Sequence, residues 1–366
     1  MKINYVNLAQ QWAEDKISLL KIIDQTLSTG KFVGGEQVDI FEKNIAKICG
    51  CKYAVGLNSG TDALTLALHL AGVRRGDEVI TTPNSFIAST SVIVHLGAIP
   101  VFIDVLPDQN INYNLIKKKI TKKTKVIMPV HLTGRLCEMD PIMKLANKFG
   151  IAVIEDAAQA IGSKYNNKKA GSFGFAGCFS AHPLKNLNAM GDAGYLTTNN
   201  YNVYKKIKDI SNHGMTNRNI VKNFGYVSRL DNIQAGILNY RLKKLDKIIF
   251  LRRRNASLYK SLIKTENVFI PEEKKNQFNT YHTFVVQIYN NREKLISFLK
   301  KNGIGTSIHY PIPIHLQPAA KFLGYKKNDF PEAEKQSKQI LSLPIHHQLK
   351  LKEIEYISKK INEFFH

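Results

Sequence analysis

Between residues 36 and 200 short apolar runs alternate with segments of helical period, and this alternation constrains the fold more than any other property of the chain. Residues 53–57, 78–82, 100–103, 125–130, 151–155, 178–181 and 195–198 read as strands, with helices at 61–71, 88–95 and 139–149. In the first of these helices Leu64, Ala67, Leu68 and Ala71 fall on one face. Strands separated by helical crossovers are too far apart in sequence for tight hairpins. They pair in parallel, under helices that cover both faces. The expectation is an α/β fold with a mainly parallel central sheet in a large domain spanning residues 1–235, which includes an N-terminal helical segment.

Beyond residue 200 the pattern changes. A long charged helical stretch at 231–264 carries Leu238, Leu242, Leu245 and Ile249, and leads to a strand-like run at 281–288, a helix at 292–301 and the loop Tyr310-Pro311-Ile312-Pro313. Residues 236–366 therefore read as a smaller C-terminal α+β domain. No repeat or low-complexity linker separates it from the first.

The chain carries 52 Lys and Arg against 29 Asp and Glu, a net charge of +23. A nucleic-acid-binding protein would gather such an excess into a patch with interleaved aromatics. Here the lysines are scattered, and the runs Lys117-Lys118-Lys119 and Arg252-Arg253-Arg254 fall in apparent surface helices. No nucleic-acid partner and no metal site is expected. No apolar run approaches the roughly 18 residues that span a bilayer, and none at the N-terminus resembles a signal peptide. With four cysteines and no CxxC pair, the chain reads as a reduced, cytoplasmic protein.

Three local signals fall at strand ends, where open α/β sheets bind ligands. Asn58-Ser59-Gly60-Thr61 joins a strand to a helix. Gly60 permits a tight turn and Thr61 places a hydroxyl beside unpaired amides, which makes a cradle for a phosphate; the plainer alternative is an ordinary helix cap. In Val153-Ile154-Glu155-Asp156-Ala157-Ala158-Gln159 an apolar strand delivers Asp156 to its end, beside small residues that let something flat approach. A carboxylate there can keep a pyridinium nitrogen protonated. In Cys178-Phe179-Ser180-Ala181-His182-Pro183-Leu184-Lys185, Ser180 ends a strand and Lys185 follows in a loop. A lysine near a phosphate-binding serine can react with an aldehyde cofactor, and burial lowers its pKa for proton transfer. Each signal alone has a structural explanation. Their occurrence together, in this order, does not.

The segments NSGTDAL (58–64), ITTPNSFIAST (80–90), PVHLTG (129–134), VIEDAAQAIGSKYNNKKAGSFG (153–174), FSAHPLKNLNAMGDAG (179–194), SRLDNIQAGIL (228–238), HYPIPIHLQPA (309–319) and LSLPIHH (341–347) resemble the DegT/DnrJ-type sugar aminotransferases, within the fold-type I enzymes that use pyridoxal 5'-phosphate (PLP). The resemblance implies that Gly60, Thr61 and Ser180 hold the cofactor phosphate. It further implies that Phe86 stacks on the ring, Asp156 pairs with its nitrogen, Gln159 lies at the ring oxygen side and Lys185 is the covalent lysine. His309, Tyr310 and His315 become candidate contacts to a sugar nucleotide, with structural roles as the alternative.

By the same resemblance the chain is expected to move an amino group from an amino acid, glutamate by family habit, to a nucleotide-linked keto sugar. A 3-keto hexose aminated at carbon three is expected, as a step in amino-sugar biosynthesis for lipopolysaccharide or O-antigen. A homodimer with shared active sites follows from the same source. Amination at carbon four is the nearest alternative. A PLP-dependent sugar dehydratase would carry His in place of Lys185, and a catalytically silent regulator would not need Lys185, Asp156 and Ser180 together. The sequence departs from the family in two places. Val227 stands where Asn often reaches the partner's cofactor phosphate, and Thr133 stands where Tyr is common.

Overall fold

The computed structural model describes residues 2–366. Its centre is a seven-stranded sheet built from β1 (Tyr53–Leu57), β2 (Glu78–Thr81), β3 (Ile99–Phe102), β4 (Thr124–Ile127), β5 (Ala152–Asp156), β6 (Ala176–Ser180) and β7 (Gly194–Thr198). Their spatial order is β1-β7-β6-β5-β4-β2-β3. Every neighbouring pair is parallel except the two made by β7, which runs against both β1 and β6. The expected mainly parallel sheet is present, and its strands match the sequence reading to within two or three residues at either end.

Side-chain alternation divides two cores across this sheet. Ile80, Ile127, Val153 and Phe179 point into one apolar layer, with Phe41 and Ile45 of α2 (Glu36–Cys49). Their sequence neighbours Val79, Val126, Ile154 and Cys178 point into the other, with Leu64, Ala67 and Leu68 of α3 (Gly60–Leu70). The antiparallel β7 has a consequence for function. Its first residue, Gly194, pairs with both Leu57 at the end of β1 and Ser180 at the end of β6. The turn after β1 is thereby set against the end of β6.

The long helical stretch expected at 231–264 is two helices, Asn232–Leu242 and Leu245–Leu262. No Gly or Pro marks the break at Lys243-Lys244. The Lys244 ammonium is drawn to Asp15 of the N-terminal helix α1 (Leu8–Leu27), at 2.5 Å, a tertiary contact that local pattern does not reveal. The boundary drawn at 235/236 falls inside the first of these helices. Apolar packing changes over along the second: Leu245 and Ile249 belong to the large-domain core, whereas Ala256 and Tyr259 belong to the C-terminal one. That second core surrounds the antiparallel strands Phe284–Ile288 and Ile340–Leu343 and the helix Leu351–Phe365, and it includes Ile3.

The Arg252-Arg253-Arg254 run is not a surface patch. Arg252 is buried and donates to the carbonyls of Tyr281 and His282, Arg253 pairs with Glu273, and Arg254 bonds Asn255 and the carbonyl of Leu349. Placed where the packing passes from one core to the other, all three tie the helix to its surroundings. Among the described residues no helix is long and apolar enough to cross a membrane.

Candidate active site

Gly60 and Ser180 meet where the antiparallel strand draws β1 and β6 together. A Cβ on Gly60 would lie 2.9 Å from the Ser180 Cβ, and one on Gly194 would lie 2.1 Å from the Ser59 carbonyl carbon. Both positions need glycine because another chain segment occupies that space. The cap of α3 is Ser59, whose Oγ accepts the amide of Asp62 at 3.0 Å, and not Thr61. The Thr61 hydroxyl and the first amides of the helix are thus left over at its positive end, as a phosphate site requires.

Asp156 closes β5 at the same edge. It is buried at 5% exposure, with Oδ2 accepting 2.7 Å from the Ser89 hydroxyl and Oδ1 accepting 3.2 Å from the Ala158 amide. Burial pushes its pKa up, while these two donors and the nearby Lys185 ammonium hold it down. Ser89, in α4 (Ala88–His95), is a partner of this carboxylate that the sequence reading passed over. It stands in the quoted segment 84–90, but a helical serine gives no local sign of its partner 67 residues away. The preceding Glu155 faces the opposite way. It is fully buried and accepts from Gly171, Phe173 and Gly174 amides and from His131 Nε2. His131 Nδ1 accepts the Cys137 amide, so Nε2 is the protonated nitrogen. This lattice anchors β5 from behind and holds Asp156 in place.

Lys185 sits in a loop that closes on itself. Its amide donates to the His182 carbonyl, the Ala189 amide to the Ala181 carbonyl, and Asn188 Nδ2 to the Pro183 carbonyl. Asn186 Nδ2 donates to the Thr280 carbonyl, and Arg241 Nη1 donates to the Asn188 carbonyl, so the residues that follow Lys185 are fixed by the C-terminal half of the chain. Burial pulls the Lys185 pKa down to about 8, opposed by Asp156. The two groups act on each other electrostatically across the same space, and among the described residues neither has a salt-bridge partner.

Phe86 lies in the turn before α4 rather than within an apolar helix, and it is 58% exposed. Its ring is 6.1 Å from that of Tyr310. Gln159 accepts the Thr133 amide at 2.7 Å and points its Nε2 at the Tyr310 hydroxyl, 3.5 Å away. Thr133 has a positive φ of 64°, so the position where Tyr is common serves here as a turn that presents an amide. His309 bonds the Ser342 hydroxyl and stacks on Tyr5; burial and the Lys185 charge bring its pKa down to about 4.

His315 is placed apart from this group. It is 2% exposed, bonded to Glu334 at 3.1 Å and packed against Phe330. Its structural alternative is the one the geometry supports. Near Val227, Ser228 Oγ donates to Asp62 and Arg229 Nη1 to Asn212, so the two side chains next to the position of the missing asparagine are engaged within their own subunit.

These residues fit a flat aldehyde cofactor carrying a phosphate. Gly60, Thr61 and Ser180 form a cradle with unspent donors, Phe86 offers an uncovered aromatic face, Asp156 is a buried carboxylate without a cation in contact, and Lys185 is an amine of lowered pKa.

The profile of the DegT/DnrJ/EryC1/StrS aminotransferase family matches residues 14–362. The chain is 39% identical to a pleiotropic regulatory protein of Geobacillus stearothermophilus, across 100% of this chain and 99% of that one. It is 37% identical to UDP-N-acetyl-3-dehydro-alpha-D-glucosamine 3-aminotransferase of Acidithiobacillus ferrooxidans, across 100% and 98% respectively. Among solved structures, S. venezuelae DesV, crystallised in complex with a ketimine intermediate, superposes with a TM-score of 0.96 at 32% identity, covering 99% of this chain and 98% of that one.

Proposed function

This chain belongs to the DegT/DnrJ/EryC1/StrS aminotransferase family, and we propose that it transfers an amino group from an amino acid, glutamate in the first instance, to carbon three of a nucleotide-linked 3-keto hexose. It is a PLP-dependent aminotransferase. The observation that carries this reading is the pairing of Lys185, held near pKa 8, with the buried Asp156 carboxylate at one end of the sheet.

Bound in the cradle described above, PLP supplies an electron sink for the bond-breaking carbon. Gly60, Thr61 and Ser180 would hold its phosphate and Phe86 would cover its ring. Asp156 keeps the ring nitrogen's proton in place, because a buried carboxylate is stabilised by a positive partner. Lys185, neutral in a large fraction near pH 8, takes a proton from the donor's α-carbon and later returns one to the sugar carbon. Gln159 and Tyr310 border the space in which these transfers occur, and His309 stands next to them. The amino acid and the sugar react in turn at one site, so the kinetics are ping-pong.

Carbon three is favoured by the Acidithiobacillus relative, whose name specifies a 3-dehydro sugar and a 3-aminotransferase. Moving the keto group by one carbon displaces the reacting atom by more than an ångström, and misplacement of that size costs about 100-fold in rate. Matched 3-keto and 4-keto sugar nucleotides, offered with glutamate, are to be compared by locating the new C–N bond by NMR. Preference for the 4-keto compound would move the site of amination and leave the transfer chemistry intact. The Geobacillus relative carries a regulatory name, but retention of Lys185, Asp156 and the phosphate cradle in this chain supports chemistry; a visible absorption band from the lysine-bound cofactor in the purified protein tests that directly.

The reading also places the enzyme in the cytoplasm, as a homodimer serving amino-sugar formation for surface glycans such as O-antigen. Uncovered apolar side chains beside the site, Leu184, Met190, Phe86 and Ile87, support a partner subunit there.

A further inference from the structure

A cavity of about 730 Å³ runs along the helix Leu245–Leu262, where its packing passes from one core to the other. Pockets that hold small molecules commonly enclose roughly 300–1,000 Å³. None of the residues assigned above to the cofactor lines this one. The helix contributes two adjacent rows at four-residue spacing, one through Leu245, Ile249, Arg253 and Ser257, the other through Asp246, Phe250, Arg254 and Leu258. Ile48 at the end of α2 extends the apolar part of the wall, and Phe250 is 67% exposed within it.

The charged part comes chiefly from a short hairpin, whose strands are Lys164–Tyr165 and Lys168–Lys169. Lys164 and Lys169 stand directly opposite each other across it, so their side chains leave from one face. Both line the cavity, both are half-buried, and among the described residues neither reaches a carboxylate. Other half-buried lysines, Lys208, Lys244 and Lys360, each pair with an acid. Lys164 Nζ lies 5.3 Å from the centre of the Phe278 ring, which Arg253 also approaches, at 4.0 Å. Glu273 matches the Arg253 charge, whereas Arg254 meets only Asn255 and the Leu349 carbonyl. Against Lys164, Lys169 and Arg254 the wall sets one acid, Asp246. A cleft of one charge sign with low-dielectric walls concentrates counter-ions of the other.

We propose that this cavity binds a nucleoside diphosphate at a site separate from the one that holds Lys185. The paired lysines take the phosphates, and the apolar strip ending in Phe250 takes the flat base. Asp246 and Ser257 are left to accept from ribose hydroxyls, which a carboxylate can do and a phosphate-binding group cannot. A ligand seated there would join the large-domain hairpin to the helix that crosses into the C-terminal domain. The assignment does not depend on the reaction proposed above, because it concerns binding away from the reactive lysine.

The test counts sites by calorimetry on the PLP-loaded enzyme, with UDP and ADP as probes. The wild type should bind one more nucleotide per chain than the double variant Lys164→Gln/Lys169→Gln, in which the affinity of that site falls tenfold or more. Phe250→Ala, at an exposed position, should weaken the same site several-fold while both lysines remain. Inorganic pyrophosphate, which lacks a base, should bind there at least tenfold more weakly than UDP. Amination rates without added nucleoside diphosphate should be unchanged in these variants. Equal numbers of sites and equal affinities for both probes in wild type and double variant would overturn the proposal. So would pyrophosphate binding as tightly as UDP, which would make the cavity a bare anion site. Phe250→Glu serves as a separate control in sedimentation: a change of assembly state would show that a second copy of the chain fills the groove, and would also overturn it. If no sugar is aminated, the site count still decides the matter.

Discussion

The Ser89 hydroxyl donates a 2.7 Å hydrogen bond to Oδ2 of Asp156, tying the start of α4 to the end of β5 at the carboxylate opposite Lys185. Among the described residues the Asp156 carboxylate has one other donor, the Ala158 amide. A hydrogen bond to a charged group is worth about 1.5–3 kcal/mol, so Ser89→Ala should lower kcat by about tenfold or more while the fold persists. Asp156→Asn removes the charge itself and should cost about 10²–10⁴ in rate. Circular dichroism checks folding and single-turnover absorbance checks the rate. Near-normal turnover in both folded variants would remove the carboxylate from the mechanism.

The contrast between Asp156 and Ser89 shows what the sequence makes legible. Asp156 announces itself because an apolar strand ends in a charge beside small residues. Ser89 lies in a helix among Ala88, Thr90 and Ser91 and differs from them only by what faces it in space. The same holds for His131 and Glu155, whose pairing crosses from the segment after β4 to β5. Arg252 was misjudged for a related reason. Three consecutive arginines on a helix point in three directions, and composition cannot tell which one is inside. The parallel sheet was readable because its signal is periodic and repeated; the break at Lys243-Lys244 was not, because no Gly or Pro marks it and the Lys244–Asp15 contact made there spans over two hundred residues.

Lys185 carries a pH signature in the cofactor-free protein. Its pKa falls from 10.5 to about 8 because burial penalises the ammonium more than Asp156 favours it. Labelling of Lys185 by an amine-reactive reagent should rise through pH about 8, whereas exposed lysines respond near 10.4. The folded state disfavours the charged form, so stability should decline as pH falls from 10.5 to about 8 and level off below. Lys185→Met should abolish that slope, the selective labelling and the borohydride-fixable cofactor adduct. A labelling midpoint above 10 would mean that the amine is solvated.

Glu155 should matter for stability rather than chemistry. Three backbone amides at 2.7–3.3 Å and His131 converge on it in a fully buried position. Glu155→Leu orphans all four donors, and breaking such a buried cluster costs about 3–5 kcal/mol. Thermal unfolding should show a clearly lowered midpoint, and cofactor affinity should fall with it because β5 carries Asp156. An unchanged midpoint would show that the loop at 171–174 relaxes freely.

The segment 212–232 projects an apolar surface that its own subunit does not cover. Its two strands, Met215–Asn217 and Ile220–Val221, pair with each other and with no other strand among the described residues. Ile220, Val221, Tyr226 and Val227 are largely exposed and Phe224 is fully so. A two-stranded hairpin of this size is marginal by itself, and such a patch marks an interaction site. Its base is firmly held: Asn58 Nδ2 donates to the Val227 carbonyl and Ser228 Oγ to Asp62, next to the phosphate cradle. A rigid base beside one cradle and an uncovered tip suit an arm that crosses to a second subunit. Sedimentation should show a dimer, and Phe224→Asp should shift it toward monomer with loss of cofactor affinity. Subunits carrying Lys185→Ala supply an intact arm but no reactive lysine, and subunits with residues 216–224 shortened supply the converse. Mixed one to one, half the dimers are hybrids and each hybrid restores one of its two sites, so recovery should approach about a quarter of wild-type activity. Activity that stays at the level of the separate variants, or monomers that are fully active, would mean that each subunit completes its own site and that the apolar tip serves another contact.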